Sequence, residues 1–574
     1  MKFSRLASVF DSIEAKSSRL EMTRELASLF EESKGVEIRK IVYFLQGMVK
    51  PAFEGIDLGL AEKSCINTIA RVSGRTIKQV EASYRKTGDL GETAAKLIGE
   101  RKQKALGSFA LTVEKVYGNI MRIASASGTG SHTAKARLLG ELLSNANPNE
   151  AKVITRFVTG RLRLGVGNAT IIDALSFAKA EDKSLRNDLE RAFNLTSDLG
   201  LVAETLYSKG MNAILAFKTK PFNPIRPALG ERMSSSKAII DKLGECMADG
   251  KYDGLRVQVH KSKDEVRIYS RRQEDVTHMF PDIVKAVLWQ VKANEVIFEG
   301  EAIGFDEETN RFQPFQETAK RKRKHGVQKT SKEIPLRVFA FELLYLNGTD
   351  YTLELFEARR KKLESIIQGK GLIRLSKIVR VKTAAELEAF FNKCVESGLE
   401  GVMAKDLKAP YVAGARKFAW IKLKKSYKEG LADTLDTVVV GYYYGKGKRT
   451  KLGLGGLLTA VRAGSEFKTI AKIGTGFSEE QLKDLSVHLG KLKVPKKPRE
   501  VNSLLEPHEW VKPELVVEVK ADELSRSQMH TAARVGSKGL ALRFPRLVRI
   551  RYDKSPAQAS TQEEAEALYA LQLK

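Results

Sequence analysis

Two different hydrophobic periods divide this chain, and that division limits what it can fold into. Up to about residue 215 apolar residues recur every three to four positions. EIRKIVYFLQGMV (37–49) and EAKVITRFV (150–158) are examples, with the spacing that lays a stripe along one helix face. From about residue 426 the text turns to short β-branched and aromatic bursts: TVVVGYYY, GGLLTAV, FKTIAKIG, LVVEVKA and RLVRIRYD. Glycine-rich turns separate several of them, and one helical pattern, SEEQLKDLSVHLG, sits among them. Between 216 and 425 both patterns mix. A chain of 574 residues also exceeds what one core can serve. The expectation is therefore three domains: all-α over 1–215, mixed α/β over 216–425, and an all-β small Greek-key barrel over 426–574.

Composition adds a partner class. Lys plus Arg number 98 against 70 Asp plus Glu, a formal net charge of +28. The basic residues cluster as KRKRK (320–324), KLKKSYK (422–428) and KGKRTK (446–451). Such clusters suit a polyanion, whose counterions are released on binding; a generally basic, solvated surface is the alternative. Cys65, Cys246 and Cys394 lack metal or disulfide spacing, which fits a reducing cytoplasm. No apolar run approaches the roughly 18 residues of a membrane span. The first residues read as a helical stripe (Phe3, Leu6, Val9, Phe10, Ile13), not as a signal peptide.

The helical part holds a weak internal repeat. Residues 37–70 parallel 150–178, and each ends in Leu-Gly-hydrophobic-small before a new helix. Gly165 and Gly167 would let a phosphate approach the backbone N–H groups that open that helix. A plain helix-to-helix turn is the competing reading. Two copies on a basic domain favour contact with a phosphate backbone, blind to base sequence.

The middle segment carries the chemistry. In DGKYDGLRVQV (249–259), Asp-Gly is a strong turn pair, and Leu255, Val257 and Val259 alternate with Arg256, Gln258 and His260 as in a half-buried strand. The same string also makes Lys251 a candidate nucleophile. After it come SRRQEDVTHMFPDI (270–283), FEGEAIGFD (298–306), QPFQ (313–316), VFAFELLYLNG (338–348), EGVMAKD (400–406), RKFAWIKLKK (416–425) and LRFPRLVRIRYDKSPAQAS (542–560). In this order the series resembles the covalent nucleotidyltransferases, most closely the ATP-dependent DNA ligases of the archaeal and eukaryotic replicative type. The resemblance covers nearly the whole chain.

The resemblance implies that Lys251 attacks the α-phosphate of ATP, expels pyrophosphate and keeps AMP. AMP then passes to the 5′-phosphate of a nick in duplex DNA, and the 3′-hydroxyl displaces it. A lysine amine is a poor nucleophile while protonated, so nearby cations and a divalent metal such as Mg²⁺ would favour its neutral form. Asp249 stands at a nucleotide-reading position where the family usually has glutamate, which leaves ADP or GTP open as alternatives. Arg256 and Arg271 are expected at the nucleotide or the nick phosphate, Glu301 at the ribose or a metal, and Glu400 at a metal. Phe341 would stack on adenine, although its run VFAFELL also suits a core. Arg416, Lys422 and Lys424 would touch phosphates. Lys405 has a weaker claim. Arg551, Asp553 and Lys554 would orient the leaving pyrophosphate, the KEGLADT stretch (428–434) would be a hinge, and the final barrel would be an OB-fold. Phe315 and Phe544 would wedge an aromatic into the minor groove beside the nick. Core burial competes for both, with Phe544 read as part of an alternating strand.

Three further readings follow. An RNA-capping or RNA-ligating enzyme shares the Lys-x-Asp-Gly string, but the long helical domain and the SRRQEDVTHMFPD and QPFQ stretches speak against it. A non-catalytic nucleic-acid binder explains the charge alone. A NAD⁺-dependent ligase is disfavoured by the missing four-cysteine zinc site. Gln103, Leu106 and Phe109 have the spacing of a sliding-clamp-binding box, or equally of a buried helical stripe. The expected state is a cytoplasmic, nucleoid-associated monomer.

Overall fold

The computed structural model describes residues 1–56, 58, 60–101, 109–306, 311–323, 326–367, 371–425, 434–445 and 452–573. The expected hinge falls almost wholly outside these residues, as do Gln103 and Leu106. The chain forms two compact units: Met1–Arg232 with Ile239–Lys422, and Met233–Ala238 with Leu423–Lys574.

The first unit opens with helices that run to Leu215. Phe3, Leu6, Val9, Phe10 and Ile13 line the buried face of the helix Phe3–Ala15, as their spacing implies. Both copies of the sequence repeat fold as one helix followed by another, Glu37–Gln46 before Glu62–Ser73 and Pro148–Val158 before Asn168–Ala180, with a 3₁₀ turn Ala52–Glu54 in the first alone. Helices at residues 3–15, 90–99 and 148–158 are tied by a charged knot. The side chain of Arg156 is 5% exposed and bonds Asp89, Glu14 and Glu92 at 2.7, 2.7 and 3.1 Å. Asp89 also caps the helix Leu90–Gly99, accepting from Gly91 N–H at 2.8 Å. Burial pushes the carboxyls of Asp89 and Glu14 up, but Arg156, with Arg163 at Asp89 and Lys152 at Glu14, holds both below their ordinary range.

Two sheets follow in the same unit. The strands are β1 (Leu229–Arg232), β2 (Cys246–Lys251), β3 (Leu255–Ser262), β4 (Glu265–Ser270), β5 (Glu295–Asp306), β6 (Arg311–Phe312), β7 (Leu336–Leu346), β8 (Thr349–Asp350), β9 (Ile373–Leu375), β10 (Ile378–Val381), β11 (Gly401–Asp406) and β12 (Arg416–Lys424). One sheet has the order β1-β12-β11-β2-β10. The other runs β4-β3-β5-β7-β8, with β6 on β5 and β9 on β7. Leu255, Val257 and Val259 enter the core of the second sheet, as their alternation predicts. The opposite face is polar yet buried. Gln258 accepts from Ile225 N–H at 2.7 Å and donates to Ile225 O at 2.9 Å, and His260 Nδ1 accepts from Phe222 N–H at 3.0 Å. Burial pushes the His260 pKa down to about 3, keeping the ring neutral so that this nitrogen can accept. Residues 222–228, entering the sheets from the helices, are thus pinned by side chains of β3.

The second unit has an antiparallel meander of β13 (Leu435–Tyr444), β14 (Leu454–Ala463) and β15 (Glu466–Ile473). The strands Val516–Lys520 and Arg546–Arg551 extend it beside β13. The helix Glu479–Lys491 buries Leu482, Leu485 and Leu489 and starts at a Ser478–Gln481 capping box.

Two sequence expectations are corrected. Phe544 does not lie in a strand. It sits in the turn between Gly539–Arg543 and Arg546–Arg551, with φ +53° and 63% of its surface exposed. Pro545 follows it and has no N–H to donate to a ladder, so pairing stops there. Within the basic run 320–324, Arg321 is buried and is no surface cation: it pairs with Asp282 at 2.6 Å and donates to Ile334 O at 2.8 Å.

Asp89→Asn keeps an acceptor for the cap and removes the charge beside Arg156. We expect it to destabilise the helical region by about 2–3 kcal/mol at pH 7, less than the loss of a whole partner. Depressed carboxyls contribute stability above their unfolded pKa, near 4, and lose it as pH falls through the folded value. The wild type should therefore weaken below about pH 4 and the variant less so, measured by urea melts followed by circular dichroism between pH 3 and 7.

Candidate active site

Lys251 ends β2 in one sheet, and Leu255 begins β3 in the other. Tyr252-Asp253-Gly254 is therefore a crossover between sheets, where the Asp-Gly signal alone suggested an ordinary turn. Gly254 has to be glycine. A Cβ there would lie 2.4 Å from Ala302 O and 3.1 Å from Cγ of Glu301. Tyr252 anchors the crossover: it is 4% exposed, stacks on Phe339 at 4.2 Å, meets Phe312 edge-on at 5.7 Å and accepts from Lys377 N–H at 3.2 Å. The backbone on either side of the Lys251 side chain is thus fixed.

Carboxylates surround the amine. Lys251 Nζ lies 2.5 Å from Glu400 Oε2, and Glu400 N–H donates to Lys251 O at 2.9 Å. Both side chains are about a quarter exposed. Glu301 on β5 pairs across from Arg256 on β3. Burial pushes its carboxyl up to about 7, against the opposing pull of Lys251 and Arg256. Two hard oxygen donors beside an amine fit a divalent cation that takes its remaining ligands from phosphate and water. Among the described residues no group of three or more His, Cys, Asp or Glu could hold a metal by itself. A cation there would neutralise the carboxylates and favour the uncharged amine.

The floor is a buried ion pair. Lys405 Nζ bonds Asp249 Oδ2 at 2.7 Å and Phe341 O at 3.0 Å, with side chains 1% and 3% exposed. The rings of Phe341, Phe356 and Trp420 surround that ammonium at 4.7–4.9 Å. Asp249 Oδ1 is buried and has no hydrogen-bond donor among the described residues. Phe341 is half-buried and meets Trp420 edge-on at 6.1 Å. Arg256 bonds Glu299 at 2.8 Å and Ala228 O at 2.8 Å, and Tyr411 Oη reaches the same Glu299 oxygen at 2.8 Å.

The structure thus brings Asp249, Lys251, Arg256, Glu301, Phe341 and Glu400 to one place between the sheets. Arg271 is exposed just past β4 and lines, with Arg256 and Glu299, a small pocket open to solvent. Arg416 opens β12 opposite Leu229, and its side chain lies outside the described residues. Lys422 stands opposite Arg232 in the parallel β1–β12 register; Lys422 and Lys424 are half-buried. Phe315 opens the short helix Phe315–Ala319 and packs, half-buried, against the second sheet's core. In the other unit Arg551 and Lys554 both bond Asp436, at 3.2 and 2.5 Å, and Arg551 also holds Asp553 at 2.7 Å. Gly165 takes φ +68°, Gly167 N-caps the helix Asn168–Ala180, and a Cβ at either would meet nothing within 4 Å. Phe109 is 44% exposed and outside any helix, so it is not part of a buried stripe; its N–H donates to Asn145 Oδ1 at 3.1 Å.

Sequence reasoning missed Glu299, Tyr252 and Trp420, and undervalued Lys405. Period two would have found two of them: Glu299 precedes Glu301 by two residues, and Trp420 precedes Lys422 by two, so each pair shares a strand face.

A lysine amine held against a carboxylate at the junction of two sheets, with a second carboxyl nearby, is an arrangement that suits a covalent nucleotidyltransferase. Comparison with known proteins narrows the class. Residues 2–176 match the model for the DNA ligase N terminus, 227–424 that for the ATP dependent DNA ligase domain, and 450–554 that for the ATP dependent DNA ligase C terminal region. The chain is 45% identical over 568 residues to a probable DNA ligase of Dictyoglomus turgidum, covering 98% of this chain and 97% of the relative. It is 42% identical to a DNA ligase of Hyperthermus butylicus, covering 100% and 98%. The solved structure "Pmar-Lig_Pre." shares the fold at TM-score 0.55 and 16% identity, over 95% of this chain and 99% of that one. The chain belongs to the ATP-dependent DNA ligases. It has their helical N-terminal domain, central adenylation domain and β-rich C-terminal domain, and it seals nicked DNA through an adenylated enzyme, using ATP and a divalent metal. No described helix is long and apolar enough to cross a membrane.

Lys405→Met would leave the Asp249 carboxylate buried without a cation. We expect a loss of about 3–5 kcal/mol, largely recovered when Asp249→Asn is added, because breaking a buried pair is worse than removing it. Urea unfolding of the single and double variants measures both.

Proposed function

We propose that Lys251 is the residue that carries AMP. The observation supporting this most directly is its 2.5 Å contact with Glu400 at a crossover that only glycine at 254 permits. Its amine attacks the α-phosphorus, the bond to the pyrophosphate oxygen breaks, and the amine's proton leaves to solvent or a nearby carboxylate. Positioning and charge neutralisation account for most of the barrier reduction in such displacements. Glu301 and Glu400 hold the divalent cation. Asp249 and Phe341 receive the adenine, and Arg256, Arg271, Arg416 and Lys422 receive the ribose and phosphates, with Lys424, Arg551 and Lys554 as further phosphate contacts. The unpartnered Oδ1 of Asp249 is an acceptor that suits the exocyclic amino group of adenine.

Gly165 and Gly167 offer N–H groups to the DNA backbone, and Phe315 and Phe544 press on the minor groove beside the nick. The exposure of Phe544 supports this, since a core role requires burial. The domain boundaries fall near 215/216 and 425/426. The protein acts as a cytoplasmic, nucleoid-associated monomer. Gln103, Leu106 and Phe109 form a clamp-binding box, a reading supported by the exposure of Phe109.

Intact-protein mass after incubation with ATP and Mg²⁺ should show one added AMP. Lys251→Ala and Lys251→Arg should show none while still binding nicked DNA, since guanidinium stays protonated. An adduct on Lys251→Ala would overturn the assignment. Phe544→Ala should slow sealing of pre-adenylylated nicks about tenfold, given the few kcal/mol that unstacking involves, with self-adenylylation intact. Single-turnover assays of each step separate the two effects. Phe109→Ala should weaken calorimetric binding to a sliding clamp without unfolding the helical domain.

A further inference from the structure

The helical domain touches the central domain at a point that bears on the chemistry. The last turn of the helix Arg186–Thr196 contains Asn194, which is 9% exposed. Its Nδ2 donates to Ala413 O at 2.9 Å, and its own carbonyl accepts from Arg226 N–H at 2.9 Å. Gly414 takes φ +70° and packs so closely that a Cβ would lie 2.2 Å from Asn194 Oδ1. Gly414 N–H donates to Arg226 O at 3.2 Å, and Leu229 N–H to Ala415 O at 3.1 Å. Ser197, just past the helix, donates to Pro224 O at 2.6 Å. The next residue, Arg416, opens β12 in register with Leu229.

These bonds form one short, closed path. The last turn of an α-helix leaves carbonyls without helical partners, and here one of them takes the N–H of Arg226. The amide side chain of the same residue fixes the tight turn two to three positions before Arg416. The β1–β12 pairing sets the register of Arg416, but the turn that feeds it is held by a side chain from the helical domain.

We infer that Asn194 is a positioning residue for Arg416, so that the helical domain takes part in self-adenylylation in addition to binding DNA. This rests on the proposed role of Arg416 at a nucleotide phosphate. Asn194→Ala removes the amide. Asn194→Asp keeps the side-chain shape against Gly414 while replacing the donor by a charged acceptor beside Ala413 O, and it serves if the alanine variant does not fold.

The test is self-adenylylation in single turnover without DNA, for Asn194→Ala, Asn194→Asp, Arg416→Ala and the doubles with Arg416→Ala. Each Asn194 variant should slow AMP transfer about fivefold, the size one neutral hydrogen bond sets, with affinity for nicked DNA unchanged. In the Arg416→Ala background the same substitutions should slow it less than about 1.5-fold, because residues acting as a unit are not additive. A wild-type rate for both Asn194 variants, or a full additional loss in the Arg416→Ala background, overturns the inference while leaving Arg416 in its role. A wild-type rate for Arg416→Ala overturns the role of Arg416, and the inference with it.

Discussion

The central domain depends on a crossover of three residues. Tyr252-Asp253-Gly254 carries the chain from one sheet to the other, and Gly254 presses on Ala302 at a distance no side chain tolerates. Because β2 and β3 cannot drift apart, groups from different sheets converge within one cleft: Lys251 and Asp249 from the first, Arg256 and Glu301 from the second. Tyr252 locks the geometry from beneath by stacking on Phe339. A lysine placed at such a junction is fixed by backbone, which holds its amine in place without many side-chain contacts of its own.

Charge organises the rest of the cleft. Lys405 and Asp249 are buried together, and Arg256 is paired with Glu299. Pairs this deep contribute little net stability, since desolvation offsets their attraction. They do orient what they touch: Lys405 bonds Phe341 O, and Arg256 lies 5.5 Å from the rings of both Phe341 and Trp420. Removing one partner leaves an uncompensated charge, so the cleft keeps its shape as an all-or-none arrangement. The high pKa of Glu301 has the same origin, a carboxylate drawn out of water.

The segment 222–228 joins helices to sheets and is more than a tether. Gln258, His260 and Tyr411 each bond its backbone, and Ala228 O receives Arg256. The polar face of β3 is consequently buried under it. That explains why Gln258 and His260 are inaccessible although their alternation reads as a solvent face.

Local pattern decided what local physics can decide. Period 3.6 marked the helices to Leu215, the stripe from Phe3 to Ile13 was buried as spaced, and the strands of the last domain lie where their β-branched runs lie. The order of the motifs pointed to Lys251 and to most of the residues that the structure gathers around it, because residues two apart on a strand share a face whatever the fold. Other features could come only from tertiary structure. Whether Asp-Gly closes a hairpin or changes sheets depends on which strands pair. Whether Arg321 is a surface cation or a buried anchor depends on Asp282, 39 residues away. The partnership of Lys405 with Asp249 spans 156 residues, and that of Asn194 with Ala413 spans 219. Burial and pairing at such separations follow from how distant segments meet, and no local propensity encodes that meeting.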